Sequence, residues 1–344
     1  MLPLARGGRA PRFLSALTIL LALALMTAMA ACGNDDDTTP AGTSGSGDTA
    51  GTETETQAPA ADNAAETADA AFPVSVTDGS GETIDFDEAP ERIISYSPAA
   101  TEVLFALGAG DRVVATDEYS NYPAEAQELP ELSYSDPPPE PALGHDPDLV
   151  IMSSWHEGQL EQFRELDMRV VFLPAPEDLD GVLDHIQLLG EVTGTQSEAE
   201  DIVAGMEERI AEIESQVGDV DESPRVFYEL SPSGHTVAPG SFIGEMLEIL
   251  GTDNIASDAT SQFPELSSEV IIERDPEVIL LATHGEHGGQ SLETLRERPG
   301  WDEIAAIQDE RVYPVDPDIF SRPGPRVVDA LEELVDLLHG GDAE

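Results

Sequence analysis

A few aromatic side chains placed where strands should end are the residues best suited to touch a small molecule. Tyr96 closes the run Ile93-Ile94-Ser95-Tyr96, and Trp155 follows Asp148-Leu149-Val150-Ile151-Met152. Tyr122 comes shortly after Val113-Val114-Ala115. Ligands of α/β sheets collect at the carboxyl ends of strands, and an aromatic face there can stack on a flat ring. Only 5% of the chain is aromatic, so each ring outside a core pattern counts. Packing beneath a loop is the plainer role for Tyr122 and Trp155; we favour contact. A phenol oxygen of Tyr96 or Tyr122 could also ligate an iron, a sharper role than stacking.

Other chemistry is poorly supported. His284-Gly285-Glu286-His287 carries metal-ligating types, but it sits in a Gly-rich loop without further ligands at the usual spacing. It reads as a solvated loop offering at most one axial contact to a metal complex. The seven His are scattered, whereas a free zinc or manganese ion needs three or four converging ligands. No Gly-x-Ser-x-Gly and no free catalytic cysteine is present, and no Gly-x-Gly-x-x-Gly follows a strand. With 70 Asp and Glu, neighbouring carboxylates signify little. An exported α/β enzyme remains the alternative class, without a motif to carry it.

The elements that would position these residues follow from apolar periodicity. Ser97-Pro98-Ala99-Ala100-Thr101 opens a helix with Ser97 as N-cap and Pro98 in the first turn; Val103, Leu104 and Leu107 form its apolar face and Gly108 ends it. Asp148–Met152 and Val170–Leu173 read as buried strands. Strands alternating with helices predict a parallel α/β sheet. Three segments then recur in order. Arg225-Val226-Phe227-Tyr228 leading to Ser231-Pro232 echoes Arg92-Ile93-Ile94 leading to Ser97-Pro98. Glu245–Gly251 echoes Glu102–Gly108, and Asp275–Leu281 echoes Asp146–Met152. Two lobes of one design are expected. Between them, Ser197-Glu198-Ala199-Glu200 reads as a capping box, and Ile202, Met206, Ile210, Ile213 and Val217 share one helical face. A strut of that length would limit movement of the lobes.

The N-terminus reads as an export signal: Arg6, Arg9 and Arg12, an apolar run from Phe13 to Met26, then Met29-Ala30-Ala31-Cys32. Small residues before the chain's only cysteine suit lipidation of Cys32, which leaves no thiol for a disulfide. We expect a signal peptide over 1–31 and a lipidated cysteine with an acidic tether over 32–72. An N-terminal lobe over 73–178, a helical connection over 179–223 and a C-terminal lobe over 224–340 should follow. The formal net charge is −55, and every basic residue is Arg. Such a surface repels nucleic acid and anionic lipid, and fits a salt-adapted protein.

Residues 73–340 resemble the Fe³⁺-siderophore, haem and cobalamin binding proteins of ABC importers. The resemblance rests on Glu91-Arg92-Ile93-Ile94-Ser95 through Ser97-Pro98-Ala99-Ala100-Thr101-Glu102, then Leu104-Phe105-Ala106-Leu107-Gly108 and Asn121-Tyr122-Pro123. Asp146-Pro147-Asp148-Leu149-Val150 and Asp318-Ile319-Phe320-Ser321-Arg322 with Pro325-Arg326 complete it. It implies two Rossmann-like α/β lobes with parallel sheets joined by a single long interlobe helix. It also implies a monomer that holds cargo in a shallow cleft, keeps no cofactor of its own, and delivers to a permease dimer with its ATPase. By likeness to the cobalamin-binding members, Tyr122, Phe263, Asp318 and Arg322 would line the cleft; Phe263 stands where those members often have Trp. Cobalamin is favoured over an anionic ferric siderophore, because Arg322 and Arg326 are the chief cations expected there. Haem is the next choice. Glu140 lies six residues before Asp146, and Glu269 six before Asp275. Equivalent lobes would place these carboxylates equivalently, and the resemblance implies that one surface Glu per lobe docks the permease.

Overall fold

The computed structural model describes residues 72–218, 223–283 and 290–339. A hairpin of β1 (Val74–Thr77) and β2 (Thr83–Phe86) precedes the first sheet. Then come β3 (Ile93–Tyr96), α1 (Pro98–Ala106), β4 (Val113–Asp117), β5 (Glu131–Leu132) and α2 (Pro139–Leu143). β6 (Leu149–Ser153), α3 (Leu160–Arg164) and β7 (Val170–Leu173) finish the lobe. These five strands form one parallel sheet in the order β5-β4-β3-β6-β7. β3 and β7 are buried at every position and β6 at all but its last, which is why they read as unbroken apolar runs rather than alternating ones.

Two helices follow, α4 (Leu179–Thr193) and the 22-residue α5 (Gln196–Val217), the long helix expected between lobes. The expected face is present: Met206, Ile213 and Val217 are buried, and Ile202 and Ile210 pack partly against the core. The capping box at Ser197 is not. α5 begins at Gln196, and Thr195, at the N-cap, makes no side-chain cap; its hydroxyl lies 2.8 Å from that of Thr193. The cause is tight packing at the turn. A Cβ on Gly190 would overlap that of Ala199, so the chain re-enters helix directly after the left-handed Gly194.

The second lobe runs β8 (Arg225–Glu229), α6 (Phe242–Ile249), β9 (Asp253–Asn254), α7 (Ser268–Arg274), β10 (Val278–Leu281) and α8 (Leu292–Arg296). It ends with α9 (Ala305–Gln308), β11 (Val312–Pro314), α10 (Pro317–Phe320) and α11 (Val327–His339). Its parallel sheet is ordered β11-β10-β8-β9. β8, β9, β10 and β11 thus stand to one another as β3, β4, β6 and β7 do. The echo extends to single atoms. Asp146 and Asp275 both have left-handed backbones, with φ of 49° and 44°. Arg92 and Arg225 each donate Nε–H to the carbonyl of that Asp, at 2.9 and 2.8 Å. Asp148 and Glu277 each accept the backbone N–H of the same Arg, at 2.9 Å in both lobes.

One matched piece fails. Ser97 caps α1 through Ala100 N–H, whereas Ser231 caps nothing; Ser241 caps α6, through Gly244 N–H. Ser231-Pro232 instead begins an excursion that pairs with residues 262–266, so the likeness there is one of composition only.

The largest apolar cluster runs through both lobes. One face of each sheet packs into it with α1, α4, α5, α6 and α11, and residues such as Ile93, Leu189, Met206, Leu247 and Leu334 all belong to it. Separate cores cover the outer faces: Phe163 and Met168 in the first lobe, Phe227 and Trp301 in the second. No helix among the described residues is long and apolar enough to cross a membrane. Cys32 and residues 284–287 lie outside the described residues.

Candidate functional site

The strand order defines where a ligand can sit. In the first sheet the chain leaves β3 towards β4 on one side and returns to β6 on the other, so the connections leaving the carboxyl ends of these paired strands part there, the place where open α/β sheets form a ligand crevice. β6 runs into a 3-10 turn, Ser154–Gln159, which carries Trp155 outward and His156 inward. Trp155 is 76% exposed and His156 fully buried. The His156 ring fixes this geometry. Ser153 N–H can only donate, so Nδ1 accepts from it, at 3.3 Å. Nε2 must then carry the proton, and it donates to the Tyr134 carbonyl at 2.7 Å. Burial holds the His156 pKa below its ordinary value against the opposing effect of that carbonyl, in keeping with a neutral ring.

Tyr96 does not face the crevice. It is 1% exposed, lies edge-on to Phe163 at 5.7 Å and tilts against His156 at 5.8 Å. Its expected role as a ligand contact is corrected to one of core support. Both faces of a central parallel strand are covered, so a terminal aromatic can turn inward as readily as out.

The loop after β4 supplies rings that do reach the surface. Buried Asp117 accepts Tyr119 N–H at 2.8 Å and the Ser120 hydroxyl at 2.7 Å, while Ser120 Oγ lies 2.9 Å from Thr101 Oγ1. Burial pushes the Asp117 pKa up; its hydrogen bonds and Arg322 pull it back. The wired loop presents Tyr119 and Tyr122, both exposed. Tyr119 meets Tyr134 edge-on at 5.3 Å, and Tyr134 meets His156 likewise at 4.9 Å. Tyr119 was not singled out from sequence. The Asp117-x-x-Ser120 spacing that pins its loop was the available signal.

The second lobe meets this loop through α10 and the start of α11. Asn121 Nδ2 donates to Asp318 at 2.7 Å. Arg322 donates to Asn121 Oδ1 at 2.8 Å, to the Tyr119 carbonyl at 2.9 Å and to Glu102 at 3.1 Å, and pairs with Asp318 at 2.7 Å. Arg326 grips both Glu102 oxygens, at 2.8 and 2.6 Å, with its guanidinium 4.0 Å from the centre of the Tyr122 ring. Tyr122, Asp318 and Arg322 thus lie in one cluster. Arg322, however, has only 10% of its side chain exposed and is engaged by four groups. It acts as a strut between α1, the loop after β4 and α10 more than as a free cation.

Phe263 is exposed on a separate lip, where Thr236 N–H and Ala238 N–H bond the carbonyls of Pro264 and Gln262, each at 2.9 Å. Gly234 permits this pairing, since φ is 93° and any Cβ would strike the Leu266 carbonyl. His235 on the same lip lies 2.8 Å from Ser233 Oγ. Sequence reasoning missed it, and also missed the buried pair at the end of β8, where Arg298 holds Glu229 at 2.6 and 2.8 Å over the face of Trp301. Glu140 and Glu269 are both exposed in the first turns of α2 and α7, the short helices that lead into β6 and β10.

No group of three or more His, Cys, Asp or Glu among the described residues could hold a metal ion. An open recess of about 870 Å³ lies between the β1–β2 turn, α4 and α5, lined by residues such as Pro174, His185 and Glu200. None of the crevice aromatics borders it, so it is separate from the site described above.

This arrangement of two equivalent α/β lobes, a shared helical connection and aromatic loops at the strand ends has counterparts. Residues 93–319 match the family model described as periplasmic binding protein. The chain belongs to that family. Its members bind solutes and are not enzymes. An ABC transporter substrate-binding lipoprotein of Bacillus subtilis is 29% identical over 279 residues, covering 78% of this chain and 86% of the relative. A cobalamin-binding protein of Halobacterium salinarum is 30% identical over 276 residues, covering 78% and 74%. Among solved structures, a periplasmic haem-binding protein of Roseiflexus sp. RS-1 superposes with a TM-score of 0.66 at 27% identity, covering 73% of this chain and 98% of that one.

Proposed function

We propose that this protein captures a bulky metal chelate or corrinoid outside the cell and delivers it to an ABC permease, with cobalamin the favoured cargo. One observation carries the reading. Tyr119, Tyr122, Trp155 and Phe263 are exposed, the first three in the segments that follow β4 and β6 and Phe263 on the lip of the second lobe; the other large exposed hydrophobics among the described residues are Leu143 and Leu166. Leaving so many rings in water is costly unless a flat apolar partner covers them. The Halobacterium relative named for cobalamin binding supports the choice of cargo. Haem is the second reading, favoured by the Roseiflexus neighbour and by the exposed phenols of Tyr119 and Tyr122.

On this reading the lobes span 73–178 and 224–340, Trp155, Tyr122, Phe263 and Asp318 meet the ligand, and Arg322 holds them. Glu140 and Glu269 dock the permease, each from the first turn of an equivalent helix. Cys32 bears the lipid that keeps the protein at the outer face of the cytoplasmic membrane, as the name of the Bacillus relative suggests. A fluorescence titration tests the cargo. The chain has two Trp, of which Trp301 is buried and Trp155 exposed. Cyanocobalamin should quench the Trp155 emission saturably, and Trp155→Phe should remove that signal. Saturable quenching by haemin alone would replace cobalamin with haem; no quenching by corrinoids, haemin or ferric siderophores would refute the proposal.

A further inference from the structure

The two arginines at the junction of the lobes are already neutralised. Glu102 has 2% of its side chain exposed and takes both Arg322 and Arg326. Arg322 is shared a second time with Asp318, and buried Asp117 lies close enough for Arg322 to influence it. Carboxylates here therefore outnumber guanidiniums. Arg298, at the end of β8, is likewise spent on buried Glu229. On the second lip, His235 faces Glu265 at 3.9 Å. Among the described residues, Arg298, Arg322 and Arg326 thus each stand against a carboxylate of the chain itself.

That arrangement has a consequence for cargo. A polyanionic chelate leaving water needs cationic or N–H donors to replace its hydration. To obtain them here it would have to draw Arg322 or Arg326 from Glu102, stranding a buried carboxylate. A neutral complex makes no such demand. We infer that Glu102 is a specificity-determining residue, which by holding Arg322 and Arg326 makes the cleft select uncharged or cationic complexes and reject polyanionic ones. Glu102 is a positioning residue: it reaches the ligand only through the arginines and through Tyr122, whose ring lies under Arg326. The inference rests on the proposal that the cleft takes a metal complex, and narrows its charge class.

The test is equilibrium binding of four probes to the full chain: cyanocobalamin, an uncharged ferric trihydroxamate, haemin and a trianionic ferric tris-catecholate. Working in about 1 M salt, where the screening length is about 3 Å, removes the general repulsion of an acidic surface and leaves the local effect. The parent should bind an uncharged probe at least about tenfold more tightly than the tris-catecholate. Glu102→Gln should narrow that ratio about tenfold by releasing the arginines, and Glu102→Asp should restore it. Asp318→Asn, at a partly exposed carboxylate, should shift the ratio the same way by less, and serves if Glu102→Gln does not fold. A parent that prefers the tris-catecholate, or ratios unmoved by both Glu102→Gln and Asp318→Asn, would overturn the assignment while leaving the chelate-binding proposal intact. Failure of all four probes to bind would overturn both.

Discussion

Replacing Trp155 with Ala separates a contact role from a packing role. An aromatic side chain hides roughly 150–250 Å² when fully covered. Trp155 is 76% exposed, so most of that area is still available to a ligand. Stacking on one face would cover roughly 100 Å², worth about 2.5 kcal/mol at about 25 cal/mol per Å², with about 0.5–1.5 kcal/mol more from ring geometry. Ordering the side chain returns about 0.5–1.5 kcal/mol. The remaining 1.5–3.5 kcal/mol, roughly, corresponds to a loss of about 10- to 300-fold in affinity. Stability should barely move, because the ring has few neighbours to lose; a change within about 0.5 kcal/mol is expected for an exposed site. Trp301→Ala provides the contrast. That ring is 2% exposed and lies under Arg298, so about 3–5 kcal/mol of stability should be lost. Titration calorimetry with the cargo and thermal unfolding of the same samples measure both quantities. A Trp155→Ala protein with lowered melting temperature and unchanged affinity would place the ring in the fold and refute its role as a contact.

The double variant Glu140→Ala/Glu269→Ala should abolish uptake in cells and leave solution affinity unchanged; transport at the parent rate would remove the docking assignment. Cys32→Ala should move the protein from the membrane to the soluble fraction, and a variant still in the membrane pellet would show that something else anchors it. His156 and His185 both have pKa values lowered by burial, so the folded state binds protons less readily than the unfolded chain. Their stabilisation is complete above about pH 6.5 and declines as pH falls from there towards the folded-state values. Melting curves at pH 7.5 and 5.5 should therefore show a smaller acid loss for His156→Gln than for the parent, and equal losses would refute the neutral buried ring.

Where sequence reading succeeded, the signal was local; where it failed, the deciding partner was distant. The strands β3, β6, β7, β8 and β10 are short apolar runs and the helices α1 and α6 carry their own apolar faces, so two lobes could be recognised before any contact was known. Asp146 and Asp275 even share a left-handed backbone, which the matching Asp-Pro dipeptides do not announce, since a residue before proline is biased towards extended backbone. Ser231-Pro232 misled because the same two residues open a helix after β3 and an irregular lip after β8; composition does not tell a cap from a turn. Tyr96 misled because burial on both faces erases the alternation that would show which way a ring points. Arg322 was read from sequence as a cleft residue, and its pairing with Glu102 was not foreseen. Glu102 lies 220 positions earlier in the chain, midway along α1, where nothing in the sequence pairs it with Arg322.

The same long-range pairs bear on how such a cleft must work. The largest apolar cluster passes from lobe to lobe through α4 and α5 without a break, and Glu102, Arg322 and Arg326 tie the lobes again at the crevice. A wide hinge opening would have to expose part of that cluster to water and leave a buried carboxylate without its cations, both unfavourable on a scale of several kcal/mol. Capture is then better served by a cleft already close to its bound width than by closure around the cargo. Tightness gained that way becomes an obstacle to release, since the protein has no easy motion of its own with which to let go. On the proposed function, release is then driven from outside by a partner able to pull on both lobes at once. Two carboxylates at equivalent places, one on α2 and one on α7, are the minimum geometry for such a grip. That is the physical ground for looking to Glu140 and Glu269, rather than to any residue of the crevice, for the step that delivers the cargo.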